Sequence, residues 1–361
     1  MKNRSLDTLM IKPYLTILQS SDTTHIGTLP PRALVVEQSP SYLADLLRYL
    51  SEPRTPSDII DFAQSKLGIS AAECLDIMNS LREYEIVGRP ISDETRYARH
   101  SLYYDLIGAE ADEVQSRIEN SRVCLLGVGG IGAAIASILA GAGIGTIALV
   151  DGDHIELTNL TRQYLFRESD IGRPKVDRIA EAISEANSTI RVEPHMIQIS
   201  NYNEARSILD SYDFVVLSGD RPSLIHKWVN DAAISRRFTY SSAGYIDAYG
   251  AVGPIVAPGK TPCYECREEE INLFGVSHDR ASDLKNLNPV HQAASFGPLN
   301  ALVAALQANE VLRYLGGLEC RTLAKRLLIE SWTYNIHEEA FSASQACGAC
   351  ATADVTWPSG A

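Results

Sequence analysis

The chain lacks any continuous run of about 18 hydrophobic residues, so nothing in it reads as a membrane-spanning helix. It is also short of basic charge: 32 Lys and Arg stand against 45 Asp and Glu over 361 residues, a net charge of −13. Proteins that grip nucleic acid through its phosphates carry a basic excess or patch, so a nucleic-acid partner is not expected. A nucleotide ligand is compatible with this balance, because it needs only a few local cations. The first residues, Met1–Leu18, are broken by Asp7, Lys12 and Pro13 and hold no unbroken apolar segment, so no signal peptide is expected. The expected location is the cytoplasm. Internal repeats and low-complexity tracts are absent.

Cysteine is scarce but patterned. Of the seven, four form two C-x-x-C pairs, Cys263–Cys266 and Cys347–Cys350. Each pair can present two thiolates from one tight turn, and four sulfurs complete a closed tetrahedral zinc site whose role is structural. A redox dithiol, or four unrelated buried thiols, is the alternative. Cys74 and Cys124 fall in apolar patterns and read as core residues; Cys320 reads as structural too.

Residues 1–90 differ in texture from the rest. Two short β-rich runs, Pro13–Leu18 and Arg32–Glu37, are separated by a polar stretch. Three helical patterns follow, over Ser41–Leu50, Pro56–Leu67 after a Thr55 N-cap, and Ser70–Tyr84. Two strands and three short helices suggest a small winged-helix-like module; the alternative is an N-terminal subdomain that merely packs on the core. Residues 91–120 form a connector with a helix containing Arg96-Tyr-Ala-Arg99, residues 121–350 form the main domain, and residues 351–361 a loose tail.

The main domain opens with an apolar strand, Arg122–Leu126, that runs into Gly127-Val-Gly129-Gly130-Ile-Gly132. An Ala-rich helix follows, then a second apolar strand ending at Asp151. This is a βαβ unit with its glycines where the backbone must turn tightly and approach a phosphate at a helix N-terminus. Asp151 stands where an acid can hydrogen-bond a ribose. The expected fold class is therefore α/β: a Rossmann-like domain with a mainly parallel sheet, behind the small N-terminal domain.

The glycine loop alone does not separate a redox dinucleotide from ATP. The residues after it do. Arg162 and Lys175 supply cations that an enzyme cleaving a phosphoanhydride needs as charge builds on the phosphates, whereas hydride transfer has no use for them. Asp220 follows the apolar strand Asp213–Leu217 and could hold Mg²⁺ at the carboxyl end of that strand.

Together Arg96-Tyr-x-Arg99, the Gly127–Gly132 loop, Asp151-x-Asp153, Asn159-x-x-Arg162-Gln163, Lys175, Asp220 and the cysteine pairs resemble the ubiquitin-activating-like (ThiF/MoeB-type) adenylyltransferase superfamily. That family includes the activators of the molybdopterin and thiamine sulfur carriers. The resemblance implies that Gly129 and Gly130 lie against the ATP phosphates and that Asp151 holds the ribose. Asn159, Arg162 and Lys175 would contact the triphosphate, with Asp153 and Gln163 in the same set and Asp220 on Mg²⁺. Arg99 matches an arginine that family members donate across a dimer interface, which implies a homodimer.

Two departures refine the expectation. The segment Glu268–Pro298 contains no cysteine, so a simple adenylating enzyme fits better than one that forms a thioester. The N-terminal module resembles the peptide-clamp domains of enzymes that modify ribosomally made peptides, where a leader peptide adds a strand to a small sheet. The resemblance thus extends to the peptide-modifying branch, the microcin C type and, in layout, most of all the pantocin A type. The expected activity is ATP-dependent adenylation of a carboxylate, a glutamate side chain, in a precursor peptide. Intramolecular condensation or cyclisation with AMP release would follow, in antibiotic biosynthesis. The competing readings are a sulfur-carrier activator acting on a C-terminal Gly-Gly, a Rossmann oxidoreductase and a non-catalytic peptide-binding module. Tyr240–Tyr249 and Ser277–Gln292, with His278, Arg280, Lys285 and His291, would flank the substrate; His291 could act as a base.

Overall fold

The computed structural model describes residues 8–29, 33–92, 94–266, 288, 294–344 and 347–350. Two compact units emerge, Met1–Ala111 and Asp112–Ala361.

In the first unit the strands β1 (Met10–Ile11), β2 (Ile17–Gln19), β3 (Thr24–Ile26) and β4 (Leu34–Val36) precede the helices α1 (Ser41–Tyr49), α2 (Pro56–Phe62) and α3 (Ala71–Glu83). Strand β5 (Val87–Gly88) and helix α4 (Ala98–Leu106) complete it. β2, β3 and β4 form an antiparallel three-stranded sheet, and β1 pairs with β5. Sequence alone suggested two strands here; β3 was hidden because only Thr24 and Ile26 of its three residues point inward. The helix starts follow from side chains. Thr55 accepts from the Asp58 amide while the Asp58 carboxylate accepts from the Thr55 amide, and Ser70 accepts from the Glu73 amide. α2 continues as a π-helical turn, Ala63–Leu67, that Gly68 ends at φ +71°. Leu46, Leu50, Ile59, Ala63, Cys74 and Met78 form the buried core. Lys12 and Tyr14 both bond the Asp105 carboxylate, at 2.5 and 2.8 Å, which ties α4 to the N-terminal strands.

The second unit begins in α5 (Ala111–Glu119) and alternates strand and helix: β6 (Arg122–Leu126), α6 (Gly130–Ala142), β7 (Thr146–Val150), α7 (Lys175–Ala186), β8 (Arg191–His195), α8 (Tyr202–Leu209), β9 (Phe214–Leu217), α9 (Ile225–Arg236) and β10 (Thr239–Ile246). Strand β11 (Tyr249–Val256), the long helix α10 (Gly297–Gly316), β12 (Lys325–Glu330) and β13 (Ile336–Ala340) follow. The eight strands lie in the order β8-β7-β6-β9-β10-β11-β12-β13. The first five are parallel and the rest antiparallel, so the sheet is mainly parallel, as the βαβ reading expected. β7 and β9 are buried along their whole length, as strands covered by helices on both faces must be. Strand order reverses between β6 and β9, and ligands of open α/β sheets bind at the carboxyl ends of strands beside such a reversal. Among the described residues no helix is long and apolar enough to cross a membrane.

Candidate active site

The glycine loop leaves β6 at this reversal. Gly127 adopts φ +88°, and a Cβ there would lie 2.6 Å from the Gly219 nitrogen, in the turn after β9. Only glycine fits, for both reasons. Gly132 packs against the Gly127 carbonyl, and a Cβ would lie 2.7 Å from Ser218 Oγ. Ser218 in turn donates to the Gly127 carbonyl at 2.6 Å. The two strand ends are thus knitted together, and α6 starts directly above them.

Gly129 and Gly130 do different jobs. Gly129 caps α6, and among the described residues nothing lies within 4 Å of where its Cβ would stand. That open side, beside the unpaired N–H groups of the helix start, is where an anion is favoured. The corresponding side of Gly130 is filled: Asn300 Nδ2 overlaps the Cβ position and Arg162 Cγ lies 3.1 Å from it. The expectation that both glycines face phosphate therefore has direct steric room at Gly129, while Gly130 makes space for two side chains.

Asp151 ends β7 with both oxygens engaged. Oδ2 accepts from the Val128 amide and Oδ1 from the Asp153 amide, each at 2.8 Å. It fixes the height of the glycine loop against β7, and each oxygen keeps a second lone pair for a ribose hydroxyl. Asn159 is buried in a 3₁₀ turn, Leu157–Thr161, where its Oδ1 accepts from the Glu156 amide. Arg162 is half-buried and donates to the Thr158 carbonyl at 2.8 Å. Gln163 is buried, and among the described residues its Oε1 has no partner. Lys175 opens α7 and is buried; its ammonium lies 2.8 Å from Asp153 Oδ2. A bridge between His154 and Pro174 brings those two segments together. Asp220 is exposed just after β9.

Arg162 and the glycine loop meet at Gly130, and Asp151 and Lys175 are joined through Asp153. Arg99 is exposed on α4 in the other unit. The Tyr240–Tyr249 segment is the β10–β11 hairpin. His278, Arg280, Lys285 and His291 lie outside the described residues, as does the 351–361 tail. Asn300 and Ser218 were not legible as neighbours of the loop; no sequence motif announces a contact between α6 and residues so far along the chain.

The four cysteines converge. Their sulfurs all lie within 4.8 Å of one another and are buried, with Cys263–Cys347 at 3.6 Å and Cys266–Cys350 at 3.5 Å. Disulfide sulfurs stand about 2 Å apart, whereas tetrahedral zinc with bonds of about 2.3 Å sets its sulfurs about 3.8 Å apart. The cluster could hold such an ion. Burial pushes the Cys263 thiol up to about 12 and raises Cys350. At Cys347 burial is outweighed by hydrogen bonds from the Cys350 and Ala349 amides, and the net direction is down. α9 supports the first pair: Asn230 Oδ1 accepts from the Tyr264 amide at 2.9 Å, and Lys227 pairs with Glu265. Cys74 and Cys124 are fully buried. Cys320 is half-buried and its thiol is pushed up to about 12 by burial, then by Glu310.

A glycine loop at the strand reversal, cations from two following segments and a four-cysteine cluster place the chain among α/β proteins with a candidate nucleotide site at the sheet's switch point. The ThiF family matches residues 97–350. The chain belongs to that family, within the ThiF/MoeB-type adenylyltransferase superfamily. The adenylyltransferase and sulfurtransferase MOCS3 of Danio rerio is 33% identical over 243 residues, 66% of this chain and 48% of its own. The chain spans about half the length of that relative and of several like it. The molybdopterin-synthase adenylyltransferase of Escherichia coli is 26% identical over 71% of this chain and 95% of its own. Among solved structures, E. coli MccB bound to MccA-N7isoASN covers 95% of this chain and 99% of its own, at 30% identity and a TM-score of 0.79. PaaA covers 91% and 99%, at 21% identity and a TM-score of 0.69, a likeness of fold. Of these two, MccB superposes better, whereas the layout of the sequence points most of all to the pantocin type.

Proposed function

We propose that the chain adenylates a carboxylate of a peptide at the Gly127–Gly132 loop. The observation that carries this reading is a likeness to MccB that runs through both units, covering 95% of the chain. MccB has been solved with ATP and, separately, with an ATP analogue and MccA. The other support is the loop itself, with Gly129 open among the described residues, Arg162 packed on Gly130, and Lys175 linked to the loop through Asp153 and Asp151.

In the proposed reaction a carboxylate oxygen attacks the α-phosphorus of ATP. The bond to the β-phosphate oxygen breaks and pyrophosphate leaves, giving an acyl-adenylate. Arg162 and Lys175 offset the charge that builds on the phosphates, and Asp151 orients the ribose. Asp220, an exposed carboxylate at the same edge of the sheet, would hold Mg²⁺. A second group of the same peptide then displaces AMP; holding both on one chain supplies the effective molarity. We extend the proposal to a glutamate side chain, to condensation or cyclisation, and to antibiotic biosynthesis. The N-terminal unit would clamp the leader by adding a strand to β2-β3-β4. Arg99 would reach the site of a partner copy in a homodimer, and zinc would sit among the four cysteines as a structural ion.

A sulfur-carrier activator is the second reading, favoured by relatives such as the Bacillus subtilis ThiS adenylyltransferase, 27% identical over 72% of this chain. ATP–pyrophosphate exchange separates the two. Exchange driven by glutamate-rich precursor peptides, and lost in Arg162→Ala while the peptide still binds, is the expected result. Exchange only with a small protein ending in Gly-Gly would overturn the peptide reading.

A further inference from the structure

Asn300 lies in the first turn of α10 and is 2% exposed. A buried carboxamide normally spends both ends: two N–H donors and an oxygen acceptor. Here, among the described residues, Oδ1 has no hydrogen-bond partner. Among the described residues Nδ2 donates once, to Ser295 Oγ at 3.3 Å, which leaves its second hydrogen uncommitted. Sealing such a group from water without partners costs free energy that good packing does not return, and an apolar residue of the same shape would fill this place at less cost.

The position of the amide suggests what it is for. Nδ2 stands against Gly130, the first residue of α6, in space that any Cβ at 130 would take. Arg162 Cγ and Cδ lie 3.1 and 3.3 Å from that same point. The uncommitted N–H is thus grouped with a helix N-terminus and a guanidinium-bearing side chain, both of which favour an anion. Next to them is the open side of Gly129. The carboxamide of α10, the N-terminus of α6 and the aliphatic stem of Arg162 thus meet at one point of the loop.

We propose that Asn300 is a further residue of the nucleotide site, whose free Nδ2–H donates to a phosphate oxygen of bound ATP. The inference rests on the reading of the Gly127–Gly132 loop as an ATP site. It explains why a glycine is needed at 130 although that side of the residue faces protein: the glycine admits the amide.

The test is calorimetric titration of the full-length protein with a non-hydrolysable ATP analogue, for wild type, Asn300→Ala, Asn300→Leu and Asn300→Asp, with the melting temperature of each apoprotein. Loss of one hydrogen bond to a charged phosphate is expected to weaken binding about 10–100-fold in Asn300→Ala and Asn300→Leu. Asn300→Asp, which sets a like charge beside the phosphates, is expected to bind more weakly still. Leucine restores packing but no donor, so apoprotein stability at or above wild type with lost affinity supports the contact. Wild-type affinity in the leucine variant overturns the inference while leaving the ATP site standing. Absence of nucleotide binding by the wild type overturns both.

Discussion

The ammonium of Lys175 lies 2.8 Å from the carboxylate of Asp153, with the lysine side chain 7% and the aspartate side chain 71% exposed. The cation is buried and its counter-charge is in water. The pair is thus asymmetric: removing Asp153 strands a charge, while removing Lys175 releases an aspartate already solvated.

That asymmetry predicts opposite phenotypes. Lys175→Met keeps the side-chain volume and is expected to leave stability within about 1 kcal/mol. Its pyrophosphate exchange should fall roughly 10²–10³-fold. Asp153→Asn should instead lose about 1–3 kcal/mol of stability, read by urea denaturation. Equal stability losses in the two variants would contradict the asymmetry.

The glycines of the loop should also separate. Gly132→Ala forces a Cβ into the Gly127 carbonyl and Ser218, and is expected to cost about 1–3 kcal/mol of stability. Gly129→Ala meets no atom of the described residues within 4 Å, so the apoprotein should melt as wild type does. Its methyl group would occupy the anion's place, so nucleotide affinity should fall. Denaturation curves and titration of the same two proteins check both halves.

The cysteine cluster predicts one zinc per chain by elemental analysis, lost in Cys347→Ser together with a drop in melting temperature. Asn230 holds the first C-x-x-C turn through the Tyr264 amide. Asn230→Ala is therefore expected to weaken zinc binding roughly 10–100-fold, measured by competition with a chromogenic chelator. Tight zinc retention in that variant would show that the turn holds its shape without Asn230.

Asp170 closes a 3₁₀ turn, Glu168–Asp170. Burial would raise its carboxyl, but the Arg167 amide and the guanidinium groups of Arg178 and Arg173 outweigh that, and the net direction is down. A carboxyl lowered in the folded state stabilises fully above its unfolded value of about 3.9 and loses that contribution as pH falls through the folded value. Asp170→Asn should therefore be less stable than wild type at pH 7, with the gap narrowing below about pH 4. A gap independent of pH would mean that the charge of Asp170 contributes nothing.

Much of this protein was legible in the chain because the signals are local. The capping residues Thr55 and Ser70 act on neighbours a few residues away, and the Gly127–Gly132 loop and Asp151 stand in a strand–loop–helix–strand pattern that spacing reveals whatever they touch. The two C-x-x-C pairs were legible as a pair of pairs because thiolate chemistry wants four sulfurs. β3 was not, since a three-residue strand is too short to show its alternation.

What the amino-acid sequence determined by itself was the βαβ unit, the position of its glycine loop and the identity of the charged residues that follow it. Only the tertiary structure decided that Gly130 makes room for Asn300 and Arg162, that Lys175 is buried against Asp153, and that the cysteines at 263, 266, 347 and 350 share one centre. The reason is physical: turns, caps and periodicity are set by interactions between near neighbours. These contacts join segments far apart in the chain, and they form only once the sheet and its helices have fixed where each segment lies.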